Sequence, residues 1–415
     1  MRAAGAPFLA LCLGVLASAP AAAETFAWVQ AVPGGWEARA TTEAAACPPA
    51  EIDGRPAAMA VRAPPGGDYP ILVCALALPS LPRSAAVAGV PLPMPRAEPG
   101  RVLAVGDTGC RMKGAAAQAC NDPEAWPFRA VADAAAAARP DLVVHVGDYH
   151  YRESPCPAGE AGCTGSPYGD TWAVWRADFF SPARGLLGAA PWVFTRGNHE
   201  ICGRGGLGWT RLLDPRPFEP DRPCAAGPAQ AFTVSLGGVR LGVLDVAHTD
   251  EGRARPGEVA ALEAQFAALA GAEPTWLVLH RPVWSVVRVE GARVVGGNDT
   301  LASAARRALP GNVALLLSGH LHVFQVLDFR GDLPPQMIVG HGGTLLDQGT
   351  PPHPAGLVIE DVTEEVAVAD GVSRPGQFGF VVLERGADGW SAVNHGLDGR
   401  PIDRCRLLRR RLACR

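Results

Sequence analysis

Lysine is almost missing from this chain. Of its 37 basic residues, Lys113 is the single lysine and the other 36 are Arg. With abundant Ala, 49 Gly and 39 Pro, this reads as coding bias in a GC-rich genome rather than as 36 chosen guanidiniums. A large charge imbalance is also lacking. The net charge is −4, so no global basic field points to nucleic-acid binding. Charged residues are only 19% of the 415, against 48% apolar, which excludes a disordered chain and allows a sizeable core. Beyond the N-terminus no apolar run is long enough to span a bilayer. No C-x-x-C pair occurs, which argues against a thiolate zinc site. No internal repeat is visible.

What is present begins with an address. Arg2 gives a short positive start, Pro7 to Ala19 an apolar stretch, and Ala21-Ala22-Ala23 an A-x-A cleavage site. Residues 1–23 read as a secretory signal peptide cut before Glu24. The mature protein is expected to be exported, periplasmic or secreted, from a bacterium. The cysteines agree. Apart from Cys12, ten remain, in close pairs along the chain. An even count in an exported chain predicts disulfides, and the spacing predicts Cys47–Cys74, Cys110–Cys120, Cys156–Cys163, Cys202–Cys224 and Cys405–Cys414.

Residues 24–78 alternate apolar and polar in short runs between turn signals, which predicts a small β-rich domain. Residues 79–100 are Pro-rich and read as a linker. From 101 to 415 the pattern changes and predicts a second, larger domain. Strands are expected at 102–105, 142–146, 191–195, 239–246, 275–280, 312–318, 322–329, 336–340, 357–361 and 378–384. Helices are expected at 127–138, 257–270 and 301–308, with a short one near 172–180. That order predicts a layered α/β domain with a mixed sheet or two packed sheets.

Five polar clusters stand where apolar strands end. They are Gly106-Asp107-Thr108-Gly109, Gly147-Asp148-Tyr149-His150-Tyr151, Gly197-Asn198-His199-Glu200, His280 after Trp276 to Leu279, and Gly319-His320-Leu321-His322. Strand ends in an α/β fold face the ligand crevice, so these groups can converge. Asp, Tyr, Asn and His are oxygen and nitrogen donors for hard or borderline cations. Glycine before each carboxylate lets the backbone turn sharply. His320 and His322, two apart, share a face of an extended chain. Each cluster alone is commonplace as a turn, a cap or a strand end. Five in this order are not.

The ordered set resembles the calcineurin-like metallophosphoesterases, and within them the purple acid phosphatases. The subgroup rests on a coupled pair: Gly109 stands where the wider superfamily usually has His, and Tyr151 follows the second Asp by three residues. The resemblance implies a four-layer α/β/β/α sandwich preceded by a small β domain. It implies two metal ions, Fe(III) held by Asp107, Asp148, Tyr151 and His322, and Fe(II), Zn(II) or Mn(II) held by Asp148, Asn198, His280 and His320. It implies hydrolysis of phosphate monoesters by attack of metal-bound hydroxide, with His199 donating a proton or hydrogen bond to the leaving oxygen. The substrate expected is a phosphorylated small molecule or protein. Arg281 and His341 are candidate substrate contacts. The extra histidines that plant and animal relatives carry near His280 are lacking here. Trp172, Trp175, Tyr168 and Trp209 are candidates either for pocket lining or for local core. A phosphodiesterase on the same site, and a non-catalytic metal-stabilised binding protein, are the alternative readings.

Overall fold

The computed structural model describes Met1 and residues 24–80, 82–224, 227–291, 293–360 and 365–415. The expected signal peptide, apart from Met1, lies outside the described residues. Two large sheets dominate. The larger is built around a parallel trio, Arg101–Val105, Leu142–His145 and Trp192–Phe194. The first two runs are Val- and Leu-rich and buried on both faces, as central parallel strands must be. Phe380–Gly386 pairs antiparallel with Arg101–Val105 and begins a meander through Gly389–His395, Pro401–Leu408 and Arg411–Cys414.

On the other side the sheet continues into the N-terminal segment. Thr25–Val32 pairs parallel with Trp192–Phe194, and Gly35–Thr42, Leu72–Leu78 and Ala60–Ala63 follow. The longest strands of the β-rich segment expected over 24–78 thus continue the larger sheet. The expected linker over 79–100 is also more than a linker. It contributes Ala85–Val87 and Val90–Leu92, which join Ala50–Ile52 and Arg55–Ala57 in a four-stranded sheet.

The second large sheet has a parallel centre of Arg240–Val243, Thr275–Val278, Val313–Ser318 and Gln336–Val339. Antiparallel strands flank it, among them Phe232–Ser235, Phe324–Phe329 and Glu365–Arg374. One apolar cluster joins the two sheets, with Val102, Val144 and Val193 from one and Trp276, Leu315 and Met337 from the other. The opposite face of the larger sheet packs on Phe128–Ala137 and on the segment from Trp172 to Phe180. The opposite face of the second packs on Pro256–Ala268 and Asp299–Ala308.

All five expected disulfides are formed. Three of them staple loops beside the strand-end clusters. Among the described residues no helix is long and apolar enough to cross a membrane.

Candidate metal centre

The five clusters lie at the carboxyl ends of parallel strands. Asp107, Asp148 and Asn198 follow the trio of the larger sheet, and His280 and His320 follow two neighbouring strands of the second. The backbone is bent hard there. Asp107, Asp148 and His320 have left-handed φ angles of 55°, 60° and 72°. That conformation costs a non-glycine residue about 1–3 kcal/mol. It is held by cross-loop hydrogen bonds. Asp107 N–H donates to Gly147 O at 3.0 Å, and His320 N–H to the Asp107 carboxylate at 3.0 and 3.1 Å. The bend at Asp107 therefore sits on the carboxylate residue itself, whereas at the second cluster Gly147 shares it with φ of 105°.

All seven expected ligands converge, in two groups. Tyr151 Oη lies 3.0 Å from Asp107 Oδ1, Asp148 Oδ2 and His322 Nε2. Asn198 Oδ1 lies 2.9 Å from His280 Nε2 and 2.8 Å from His320 Nδ1. Asp148 Oδ2 is also 3.1 Å from His280 Nε2, so this one oxygen touches both groups. Ligand atoms of Asp148, His280 and His320 lie within 4.8 Å of one another.

The imidazoles are oriented from behind. His280 Nδ1 donates to Val146 O at 2.9 Å, and His322 Nδ1 to Leu345 O at 2.7 Å. His320 Nε2 faces Glu251 Oε1 at 2.5 Å. Each outer nitrogen holds the proton, so each inner nitrogen presents a lone pair. With both carboxylates ionised, only the Tyr151 hydroxyl of the seven inward groups can donate. Acceptors meeting acceptors at such distances repel unless a cation lies among them, so the donor set fits metal. The charge surplus is visible in Asp107, whose carboxyl is pushed well above its ordinary range by burial and then by the charge of Asp148.

The family model of the calcineurin-like phosphoesterases matches residues 100–324. The chain belongs to that family. Its fold is similar to that of a purple acid phosphatase from yellow lupin (Lupinus luteus) seeds, at 14% identity. That match covers 92% of this chain and 74% of the lupin chain, with a TM-score of 0.57. It is also similar to PhoD, at 12% identity over 94% of this chain and 91% of that one, with a TM-score of 0.54. No curated protein matches the sequence significantly.

In this phosphoesterase His199 stands beside the seven rather than among them. Its N–H donates to Asp148 Oδ1 at 2.8 Å, and its ring lies 3.8 Å from that of Tyr151. Glu153 Oε1 is 2.7 Å from its Nδ1, and Arg204 Nη2 lies 2.8 and 2.7 Å from its two ring nitrogens. Burial lowers the imidazole to about 4, against the pull of Asp148 and Glu153. Glu200 does not touch that ring. Its carboxylate accepts from the N–H groups of Asp148, Tyr149, His150 and Gly197 at 2.9–3.1 Å, clamping two clusters together.

The two candidate substrate contacts both have partners within the protein. The Arg281 guanidinium is taken by Glu251, which also holds His320, so its charge is neutralised within the protein. His341 is fully buried, with Nε2 3.0 Å from Asn394 Oδ1 and its ring against Phe324. It is a core histidine. His150 points away to Gly169 O at 3.0 Å. Trp172, Trp175 and Trp209 belong to the core cluster, while Tyr168 is exposed.

Glu153, Arg204 and Glu251 were not anticipated. They carry no motif and reach the site from loops.

Gly109 and Tyr151 are coupled for a steric reason. A Cβ at Gly109 would meet Tyr149 O at 2.5 Å and Tyr151 Cδ2 at 3.0 Å. A side chain at 109 would press first on the Tyr149 carbonyl and then on the Asp178 carboxylate and the Tyr151 ring, both at 3.0 Å. Gly109→Ala is expected to displace Tyr151 and weaken metal binding roughly 10- to 100-fold, as losses of supporting contacts do. Titration of the apo variant with metal checks this, and unchanged affinity contradicts it.

Proposed function

We propose that this phosphoesterase is an exported, two-metal hydrolase of phosphate monoesters, of the purple acid phosphatase type. The supporting observation is Asp148 Oδ2, shared between Tyr151 Oη at 3.0 Å and His280 Nε2 at 3.1 Å. Asp107, Asp148, Tyr151 and His322 would hold Fe(III). Asp148, Asn198, His280 and His320 would hold Fe(II), Zn(II) or Mn(II). When bound, the cation pair supplies the activated water and neutralises the phosphoryl oxygens. The chain's own residues do the positioning. Glu200 fixes the two loops that carry Asp148 and Asn198. Val146, Leu345 and Glu251 aim the three imidazoles. His199, braced by Glu153 and Arg204, offers a ring nitrogen at the edge of the site for the leaving oxygen. The order of helices, sheet, sheet and helices supports the four-layer sandwich of such enzymes, and five disulfides support export.

The test is kcat/KM for an aryl phosphate monoester against the matching diester, from about pH 4 to 8, on metal-analysed protein. Monoester preference with an acidic optimum, two metals and a visible band from Tyr151 bonded to Fe(III) is the expected result. Diester preference reassigns the substrate class. A colourless, iron-free but active protein removes the purple subgroup and keeps the family. Two bound metals without turnover of either ester point to a binding protein.

A further inference from the structure

Among the described residues, the arginines around the site are, with one exception, neutralised by a carboxylate. Arg152 faces Asp178 at 2.6 Å, Arg196 faces Asp245 at 3.7 Å, Arg204 faces Glu153, and Arg281 faces Glu251. The exception is Arg111. Its Cζ lies over the Tyr151 ring, 5.7 Å from the centroid, and its charge is felt by both Tyr151 and His322. Among the described residues, no carboxylate or carbonyl accepts a hydrogen bond from its guanidinium. The side chain is partly exposed, so solvent and ligand can reach it.

Its backbone, in contrast, is fixed. Arg111 follows Cys110, which is bridged to Cys120. Arg111 N–H donates to Gln118 Oε1 at 3.1 Å, and Gln118 N–H donates back to Arg111 O at 2.8 Å. Gln118 Nε2 in turn donates to Gly343 O at 3.0 Å. The next residue, Met112, donates its N–H to Tyr151 O at 3.0 Å. A guanidinium without a partner, on a rigid stem beside a ligand cluster, lacks an anion.

We propose that Arg111 is the substrate-binding residue that takes the phosphoryl oxygens turned away from the metals, and that it sets the preference for doubly charged monoesters. The proposal rests on the hydrolytic reading above. The planar fork of Arg matches two oxygens of a terminal phosphate. A diester carries one charge less and has an ester group on one of those oxygens, so it gains less from the same fork. This reassigns to Arg111 the role that the sequence suggested for Arg281.

The test compares wild type, Arg111→Gln and Arg111→Lys, all metal-replete. In Arg111→Gln the monoester kcat/KM is expected to fall roughly 10- to 100-fold, the range of a lost charged hydrogen bond. The inhibition constant of inorganic phosphate is expected to rise by the same factor. Diester turnover should fall less than about threefold, a change within the reach of a surface charge. Metal content and the visible band should stay as in wild type, and Arg111→Lys should recover part of the loss. Unchanged phosphate inhibition, or equal losses for monoester and diester, overturns the assignment. Calorimetric binding of inorganic phosphate to the metal-loaded proteins separates the two ideas. Phosphate binding by wild type that Arg111→Gln weakens supports the assignment even where no ester is turned over, in which case only the hydrolytic reading fails. Wild-type turnover matched by Arg111→Gln, or absence of phosphate binding by wild type, sinks the assignment.

Discussion

Asp148→Ala is expected to empty both halves of the site at once and to lower kcat/KM by at least about 10³-fold, some 4 kcal/mol of transition-state stabilisation. The reason is geometric. One carboxylate oxygen lies between Tyr151 Oη and His280 Nε2, and the other accepts the His199 N–H at 2.8 Å. Removing it leaves Asp107, Tyr151 and His322 on one side and Asn198, His280 and His320 on the other, with nothing in common. Each remaining set has lost an anion, and His199 has lost its backbone anchor. Metal analysis and monoester kinetics on the purified variant check this together. Retained turnover, or release of one metal equivalent alone, contradicts a shared ligand.

Glu200→Ala is expected to destabilise the fold on the order of 3 to 5 kcal/mol, the cost of stripping a buried carboxylate from its partners. Four backbone N–H groups, from Asp148, Tyr149, His150 and Gly197, converge on that carboxylate, which is fully buried. Without it the donors have no partner and the turns bearing Asp148 and Asn198 lose their common clamp. Denaturant unfolding of wild type, Glu200→Ala and Glu200→Gln measures the effect. The glutamine variant keeps the shape and part of the acceptor capacity, so its loss should be smaller. A loss below about 1 kcal/mol for the alanine variant would show that the clamp is dispensable.

The seven residues that converge were legible in the sequence as a set because most sit in a short cluster directly after an apolar strand. Strand and cluster are local, and the parallel sheet does the gathering. The pairing of Gly109 with Tyr151 was legible only through the resemblance to the family, and the crowding at Gly109 needed coordinates. The residues behind the ligands were not legible. Glu251 reaches His320 across 69 positions and Glu153 reaches His199 across 46, from loops whose composition is ordinary. His341 misled because it sits in a Gly-rich turn. Those glycines serve packing. A Cβ on Gly340 would come 2.1 Å from Leu321 O and 2.9 Å from Asp107 Oδ2, and one on Gly342 would come 2.4 Å from Gly106 O. The turn closes behind Asp107 while the His341 side chain enters the core. The N-terminal strands were visible as alternation, but their pairing was not. Thr25–Val32 lies against Trp192–Phe194, and nothing local encodes so distant a neighbour.

That pairing and its counterpart at the other end bear on how the chain folds. The three strands that carry Asp107, Asp148 and Asn198 are closed on one flank by Thr25–Val32 and on the other by Phe380–Gly386. The second closing strand lies far downstream of the strand it covers. Until it pairs, Arg101–Val105 offers an open edge beside Asp107, apolar from Val102 onward and prone to self-association. Contacts this distant in sequence also slow folding. The turns bearing Asp107, Asp148 and Asn198 therefore owe their lateral support to strands far from them in the sequence.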